Sequence, residues 1–356
     1  MHKLGRGALT TEPISAAMVE AIMPRVTALI PAFNEAACIA ATIRSLQAQT
    51  VPLARIIVVD DCSTDRTGGC ARSAGAFVVQ LSTNGGKAAA HNAGLAFVRT
   101  PYVLTVDADT QLAPDALEKL FPHMNNPRVG CACASVLPQG QETLWERGRF
   151  IEYILGQTIH KQAQHVLCSV LVAAGCCALY KTTALRDVGG FRNDTMTEDM
   201  DMAWQLYERG LLTAFEPQAK CSTMEPKTKH TYLRQLDRWY RGAFQVMALH
   251  RFRHVWKLKA LAYWYAFDAI LAPAWLFALL YWGTSAPWRS LGAAVCIDLG
   301  IAGFIAMCAE PGRKMEILRC LPAYLVVRQL NTYAYARAFW LEHVRKQRLQ
   351  TWNKGH

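Results

Sequence analysis

The segment RIIVVDDCSTDRT, residues 55–67, runs from an unbroken apolar stretch into two adjacent aspartates and a turn of small polar residues. Ile56 to Val59 are all β-branched, bounded by turn residues and without polar alternation, which is the pattern of a strand buried on both faces of a sheet. The same unit recurs outward in both directions. VTALIP (26–31) precedes a helical pattern over Cys38–Gln47, RIIVVD precedes Asp65–Ala74, AFVVQL (76–81) precedes Lys87–Val98, and YVLTVD (102–107) precedes Pro114–Met124. Strand and helix alternating at this spacing predict an α/β domain of parallel crossover units, with helices on both faces of the sheet. Ligands of such sheets gather at the carboxyl ends of the strands, and three of these strands end in Pro31, Asp60–Asp61 and Asp107.

Across 356 residues the chain is 52% hydrophobic, more than an ordinary soluble domain carries, and part of that excess is expected in lipid. The net charge of +11 suits nucleic acid, an anionic membrane or phosphate-bearing substrates alike. Its placement argues against nucleic acid, because much of the positive charge after residue 250 flanks apolar segments. The twelve cysteines are scattered and form no CxxC, so buried reduced thiols are expected rather than a disulfide scaffold.

The polar residues at the strand ends supply chemistry. Asp60 and Asp61 can accept hydrogen bonds from a nucleobase or ribose, or cap the following helix. Asp107-Ala108-Asp109 sets two carboxylates one residue apart, suited to a hard cation completed by diphosphate oxygens. Asn84-Gly85-Gly86-Lys87 opens a helix and offers backbone N–H groups and an ammonium to an anion, or is simply a turn. Thr197-Glu198-Asp199 precedes a helix over Met200–Arg209, where Asp199 is either an N-terminal cap or a general base. A second helix is expected over His230–His250. Within it Gln235, Arg238 and Trp239 occupy one turn, where the indole can stack on a sugar ring and the guanidinium can offset diphosphate charge; the alternative is a helix lying on a membrane surface.

In their order these strings resemble the processive branch of glycosyltransferase family 2, which includes cellulose, hyaluronan, chitin-oligosaccharide and poly-β-1,6-N-acetylglucosamine synthases. The matching residues are Ile30–Glu35, Val59–Asp65, Asn84–Lys87 with Asn92–Leu95, Val106–Asp109, Val188–Phe191, Thr197–Asp201 and Gln235–Trp239. The resemblance implies a GT-A nucleotide-sugar-binding fold with a mixed central sheet, a UDP-sugar donor, Mg2+ or Mn2+, and inversion at the anomeric carbon. It implies that Pro31, Glu35, Asp60, Asp61, Gly86 and Lys87 surround the nucleotide. It also implies that Asp107 and Asp109 hold diphosphate and metal, that the Glu198–Asp199 pair is catalytic with Asp199 the base, and that Gln235, Arg238 and Trp239 line the acceptor and diphosphate site. N-acetylglucosamine is the first expected sugar and glucose the second, because TEDMDMAWQL (197–206) looks closest to N-acetylglucosaminyl polymerases. The alternatives are a polyprenyl-phosphate glycosyltransferase of the same fold and a catalytically silent nucleotide-sugar-binding scaffold.

Residues 1–24 read as an extension without an apolar core for a signal peptide or a span, 25–250 as a cytosolic catalytic domain, and 251–356 as a membrane region. Residues 260–282 and 291–309 each carry a single charge and are long enough to cross a bilayer. Basic flanks at Arg251–Lys259 and Arg313–Arg319 place the connecting loop outside. Residues 321–341, broken by Pro322, Arg328 and Arg337, are expected as an interfacial or re-entrant helix. Two spans are too few to enclose a wide polymer channel, so a homo-oligomer or a membrane partner, or a short product, is the matching expectation.

Overall fold

The computed structural model describes residues 25–250, 255–264 and 287–349. These form two compact units, one up to Ser135 with Lys161–Arg192 and Met202–Cys221, the other comprising Val136–His160, Asn193–Asp201 and the chain from Ser222 onward.

The first unit is built on the predicted crossover units. Strand β1 (Val26–Ala32) is buried throughout its length. It is followed by α1 (Ile39–Gln47), β2 (Arg55–Asp60), α2 (Thr67–Ser73), β3 (Phe77–Gln80), α3 (Lys87–Leu95) and β4 (Tyr102–Val106). β1 lies between β2 and β4, parallel to both, and β3 joins β2 in parallel. The chain then adds β5 (Thr110–Leu112), α4 (Ala116–Met124) and β6 (Val129–Pro138). The sheet is mixed, because β7 (Cys177–Lys181) runs antiparallel to β4 and to β6. With β8 (Leu212–Thr223) it has eight strands in the order β3-β2-β1-β4-β7-β6-β8-β5. The unbroken apolar runs are explained by this setting: Ile57, Val58, Val59, Leu104 and Val106 are all inaccessible to solvent. Helix α3 lies against β1 and β2 so closely that a Cβ at Gly94 would fall 2.2 Å from Leu29 Cδ1.

The second unit is helical. Thr143 and Glu146 form a capping box that starts α5 (Leu144–Leu155), which a π-turn at Gly156–Lys161 and the short α6 (Gln162–Val166) follow in the chain. After α7 (Thr182–Asp187), which like α6 belongs to the first unit, α8 (Glu198–Glu208) starts in the second unit with both residues of the acidic pair in its first turn. Thr228 caps α9 (Lys229–Leu249), within one residue of the expected helix. Beyond it stand α10 (residues 256–264), α11 (Pro287–Ala309) and α12 (Lys314–Phe339). Phe150, Ile151 and Ile154 of α5 pack with Ala302, Ala306, Ile317 and Cys320, while Tyr232 and Leu236 of α9 pack with Val327 and Ala334.

The region expected in the membrane differs from its sequence pattern in two ways. Residues 265–282 of the first expected span lie outside the described residues, as do residues 1–24; the second span, 291–309, falls within α11. Among the described residues no single helix is long and apolar enough to cross a membrane, and the one pair that passes together, Val295–Ala309 with Pro311–Val344, bends by 119°. The stretch expected as an interfacial or re-entrant helix is helical: α12 runs through Pro322, held by buried Ile317, Cys320, Ala323 and Val327 on either side. Arg328 pairs with Asp298 and Arg337 with Asp237, so these two charges link helices of the same unit.

Candidate active site

At the carboxyl edge of the first unit, the loops after β1 and β2 are laced together. Asn34, at a left-handed φ of 56°, donates its N–H to Ser63 Oγ at 3.0 Å and accepts from the Thr64 N–H at 2.9 Å. Glu35 donates its N–H to Thr67 Oγ1 at 2.7 Å, and Ala36 to Asp65 Oδ2 at 3.1 Å. Glu35 keeps its side chain partly exposed, and its Oε2 accepts from the Cys38 thiol at 3.0 Å. Pro31 sits in β1 opposite Val59, beyond Leu29, the last residue of β1 in register with β4; its missing N–H therefore interrupts no bond on that side.

The two aspartates after β2 hold different loops. Asp60 accepts from the Ser63 N–H and from the Gln80 amide, both at 2.9 Å. Asp61 accepts from the N–H groups of Gly85 and Gly86, each at 2.8 Å, one on each carboxylate oxygen. Gly86 has a φ of 83°, a conformation that favours glycine, and it caps α3 so that Lys87 is the first helical residue. Lys87 Nζ then pairs with Asp107 Oδ1 at 2.7 Å. The end of β2 is thus connected to the end of β4 through Asp61, the Gly85–Gly86 amides and Lys87. Helix α1 steadies the other side of that turn, with Thr42 donating its hydroxyl to Ala108 O at 2.7 Å and Ser45 Oγ accepting from the Leu112 N–H. Among the described residues no group of three or more His, Cys, Asp or Glu side chains gathers to hold a metal. Asp107 and Asp109 offer two carboxylates, and these hard oxygen donors suit Mg2+ or Mn2+ when a diphosphate completes the shell.

In the second unit, the acidic pair separates by exposure. From Thr195 to Leu206 every residue is buried except Asp199, which is partly exposed; its Oδ1 accepts from the Met200 N–H at 2.8 Å. Glu198 is 7% exposed. On α9, Gln235 and Trp239 meet at Arg149 of α5, a fully buried guanidinium. Arg149 Nη2 donates to Gln235 Oε1 at 2.9 Å, Nη1 pairs with Glu152 at 2.9 Å, and Nε lies 3.4 Å from Glu225 Oε2. The same guanidinium stands over the rings of Tyr232 and Trp239, at 4.5 and 4.7 Å. Burial works against its charge, but Glu152, Tyr232, Tyr153 and Glu225 outweigh burial and hold Arg149 well above the ordinary arginine value. Arg238 instead lines an open cavity of about 290 Å3 with His230, Arg234, Tyr333 and Arg337.

With this geometry described, comparison with known proteins decides the family of the domain. The family model described as glycosyl transferase family 2 matches residues 27–189. The chain carries a family 2 glycosyltransferase domain. The chain is 29% identical over 266 residues to poly-beta-1,6-N-acetyl-D-glucosamine synthase of Staphylococcus aureus (strain COL), a match covering 72% of this chain and 64% of the relative. The protein of the same name from Staphylococcus epidermidis is 28% identical over 258 residues, covering 71% and 62%. The chain therefore spans less than two thirds of the length of these relatives. A solved mannosyltransferase from Pyrobaculum calidifontis, in complex with GDP-Man and Mn2+, superposes with a TM-score of 0.63 at 20% identity, covering 89% of this chain and 87% of that one. That likeness establishes a shared α/β glycosyltransferase fold.

The glycosyltransferase domain as matched contains Pro31, Glu35, Asp60, Asp61, Gly86, Lys87, Asp107 and Asp109, and ends before Thr197. Several residues of the structure had no signal in the sequence. Arg149 is one arginine among others on an amphipathic helix, and its partners Glu225 and Gln235 lie far along the chain. His250 looked like the end of a helix, but its Nε2 lies 2.7 Å from Asp201 Oδ1, with both side chains almost wholly buried. The twelve cysteines are free thiols, six of them buried. The thiols of Cys176 and Cys221 lie 3.9 Å apart.

Proposed function

We propose that the chain transfers a sugar, N-acetylglucosamine before glucose, from a UDP-sugar to a carbohydrate acceptor with inversion, extending a β-linked chain processively at a membrane. The observation that carries this reading is Asp199, the one accessible carboxylate in a turn buried on both sides. A base for an acceptor hydroxyl must be reachable from outside and fixed in place, and its carboxylate must be ionised when the C–O bond forms. Glu198, buried beside it, supports the turn.

On the donor side, Asp61 shapes the Gly85–Gly86 amides while each of its oxygens keeps a second lone pair for the nucleotide. Lys87 faces the diphosphate with Asp107. Asp107 and Asp109 would hold the divalent cation, whose charge offsets that of the departing UDP. Trp239, with its ring against the Arg149 guanidinium, offers an indole face to the acceptor sugar, and Arg238 supplies a guanidinium suited to offsetting diphosphate charge. Asp199 takes the acceptor proton as the new bond forms, and no covalent intermediate on the protein is required.

Membrane attachment is supported by apolar surface beside basic residues. Trp256 and Trp264 are each 63% exposed, and Ile297, Ile301 and Phe304 form an exposed stripe along α11. The experiment is to incubate the detergent-purified chain with labelled UDP-sugars and size the products, alongside Asp199→Asn. Transfer from UDP-N-acetylglucosamine that disappears in Asp199→Asn while UDP binding persists is expected. Unchanged turnover in that variant would sink the base assignment.

A further inference from the structure

Helix α9 carries more than the Gln235–Trp239 turn. Its last two turns form the seat of the segment that bears Asp199. A Cβ at Gly242 would fall 2.6 Å from Thr197 Cγ2, so this part of the chain lies directly on the helix backbone. One turn later, Gln245 Oε1 accepts from the Met196 N–H at 3.2 Å, and at the helix end His250 meets Asp201. Contacts on both sides of Asp199 fix its backbone and leave its carboxylate accessible.

The other end of the Gln245 amide faces residues more than ninety positions away in the chain. Its Nε2 donates to Glu342 Oε1 at 3.3 Å and to Leu349 O at 3.2 Å. Arg241 donates from Nε to the same Glu342 oxygen at 2.8 Å and also donates to Gln347 O. The Leu349 N–H closes the loop on Glu342 Oε1 at 3.4 Å. Arg241, Gln245 and Glu342 are all nearly inaccessible to solvent. The amide orientation is dictated by its neighbours: an N–H on one side requires the oxygen there, and a carboxylate and a carbonyl on the other require the NH2.

We propose that Gln245 and Glu342 are positioning residues for the transfer reaction, coupling the strap 342–349 at the end of α12 to the turn that presents Asp199. This rests on the reading of Asp199 as base. Loss of the bridge lets the 196–199 backbone relax, which displaces the carboxylate without touching the donor loops. A small misplacement of a base slows the chemical step and leaves the nucleotide affinity alone.

The test uses the full chain in detergent, with Gln245→Met, which keeps length and removes all three hydrogen bonds of the amide, and Glu342→Gln, which keeps shape and removes the charge. For each variant kcat, KM for the donor, UDP affinity, thermal unfolding and amide hydrogen exchange of residues 195–201 are measured beside Asp199→Asn. Gln245→Met is expected to lower kcat tenfold or more and Glu342→Gln about threefold. UDP affinity should stay within twofold of the unaltered chain, with faster exchange at 195–201. If Gln245→Met does not fold, Glu342→Gln carries the test on the same criteria. Unchanged kcat and exchange, or a kcat loss matched by lost UDP affinity and an early unfolding transition, overturns the proposal. Should Asp199→Asn retain turnover, the base assignment fails, and the exchange measurement alone decides whether Gln245 holds the turn.

Discussion

Arg149 and Asp61 show opposite degrees of legibility at the scale of single residues. Asp61 was visible because it follows a buried strand and opens a turn of small polar residues, and the structure adds what the sequence did not show: its two oxygens hold the amides of Gly85 and Gly86, two dozen positions later in the chain. Arg149 was invisible because its meaning lies in a buried cluster of Glu152, Glu225, Gln235, Tyr232 and Trp239, assembled only by folding. Replacing it with Met leaves the buried Glu225 carboxylate, and the partly exposed Glu152 beside it, without their counter-charge, so Arg149→Met should cost about 3–5 kcal/mol in denaturant unfolding. A cost below about 1 kcal/mol would mean that the carboxylates find other partners. At the donor edge, Asp109→Ala should abolish the metal-dependent part of UDP-sugar affinity, read as loss of the Mn2+ enhancement in equilibrium binding. Undiminished enhancement would place the cation on other ligands.

Elements were legible where periodicity and packing agree. The β-branched runs gave β1, β2 and β4 to within a residue or two, because strands buried on both faces have no other sequence to offer. The apolar run Val170–Tyr180 yields only the short strand β7 at its end, since apolar composition alone does not distinguish a buried loop from a strand. Helix α12 covers most of the stretch expected as a helix over 321–341 and runs through Pro322, where the local cost of proline is outweighed by the face packed on α5 and α9. That packing converges on Gly148 of α5: a Cβ there would lie 2.2 Å from Val327 Cγ2 and 2.9 Å from Ala323 O. The backbone oxygen cannot rotate away. Alanine is the better helix former by about 1 kcal/mol, yet Gly148→Ala should destabilise by about 1–3 kcal/mol because α5 and α12 must separate. Increased stability would show that the crossing has slack.

For the molecule as a whole, the order of motifs pointed to the family whose model matches residues 27–189, while stability against pH depends on a cluster no motif marks. His123 of α4, His165 of α6 and Glu216 of β8 lie together in the first unit, with Lys161 near Phe215 beside them. His123 Nε2 and Glu216 Oε2 are 2.9 Å apart, and His165 Nδ1 accepts from the Phe215 N–H at 3.0 Å, which requires an unprotonated nitrogen. Burial, aided by His123, holds His165 below its ordinary 6.5. Burial raises Glu216, but its bonds to His123 and the Gln218 N–H outweigh that effect and hold it below its ordinary 4.5. In both cases the unfolded chain binds more protons than the folded chain, so stability rises with pH through each window. The His165 contribution is complete above 6.5 and fades as pH falls toward its folded value, and the Glu216 contribution fades below 4.5. Thermal unfolding of the full chain across a pH series should therefore show a midpoint that declines once pH drops below about 6.5. His165→Asn, which has an oxygen to accept in place of Nδ1, should flatten that first decline and leave the loss at lower pH. A variant whose midpoint follows the unaltered chain at every pH would remove His165 from the account.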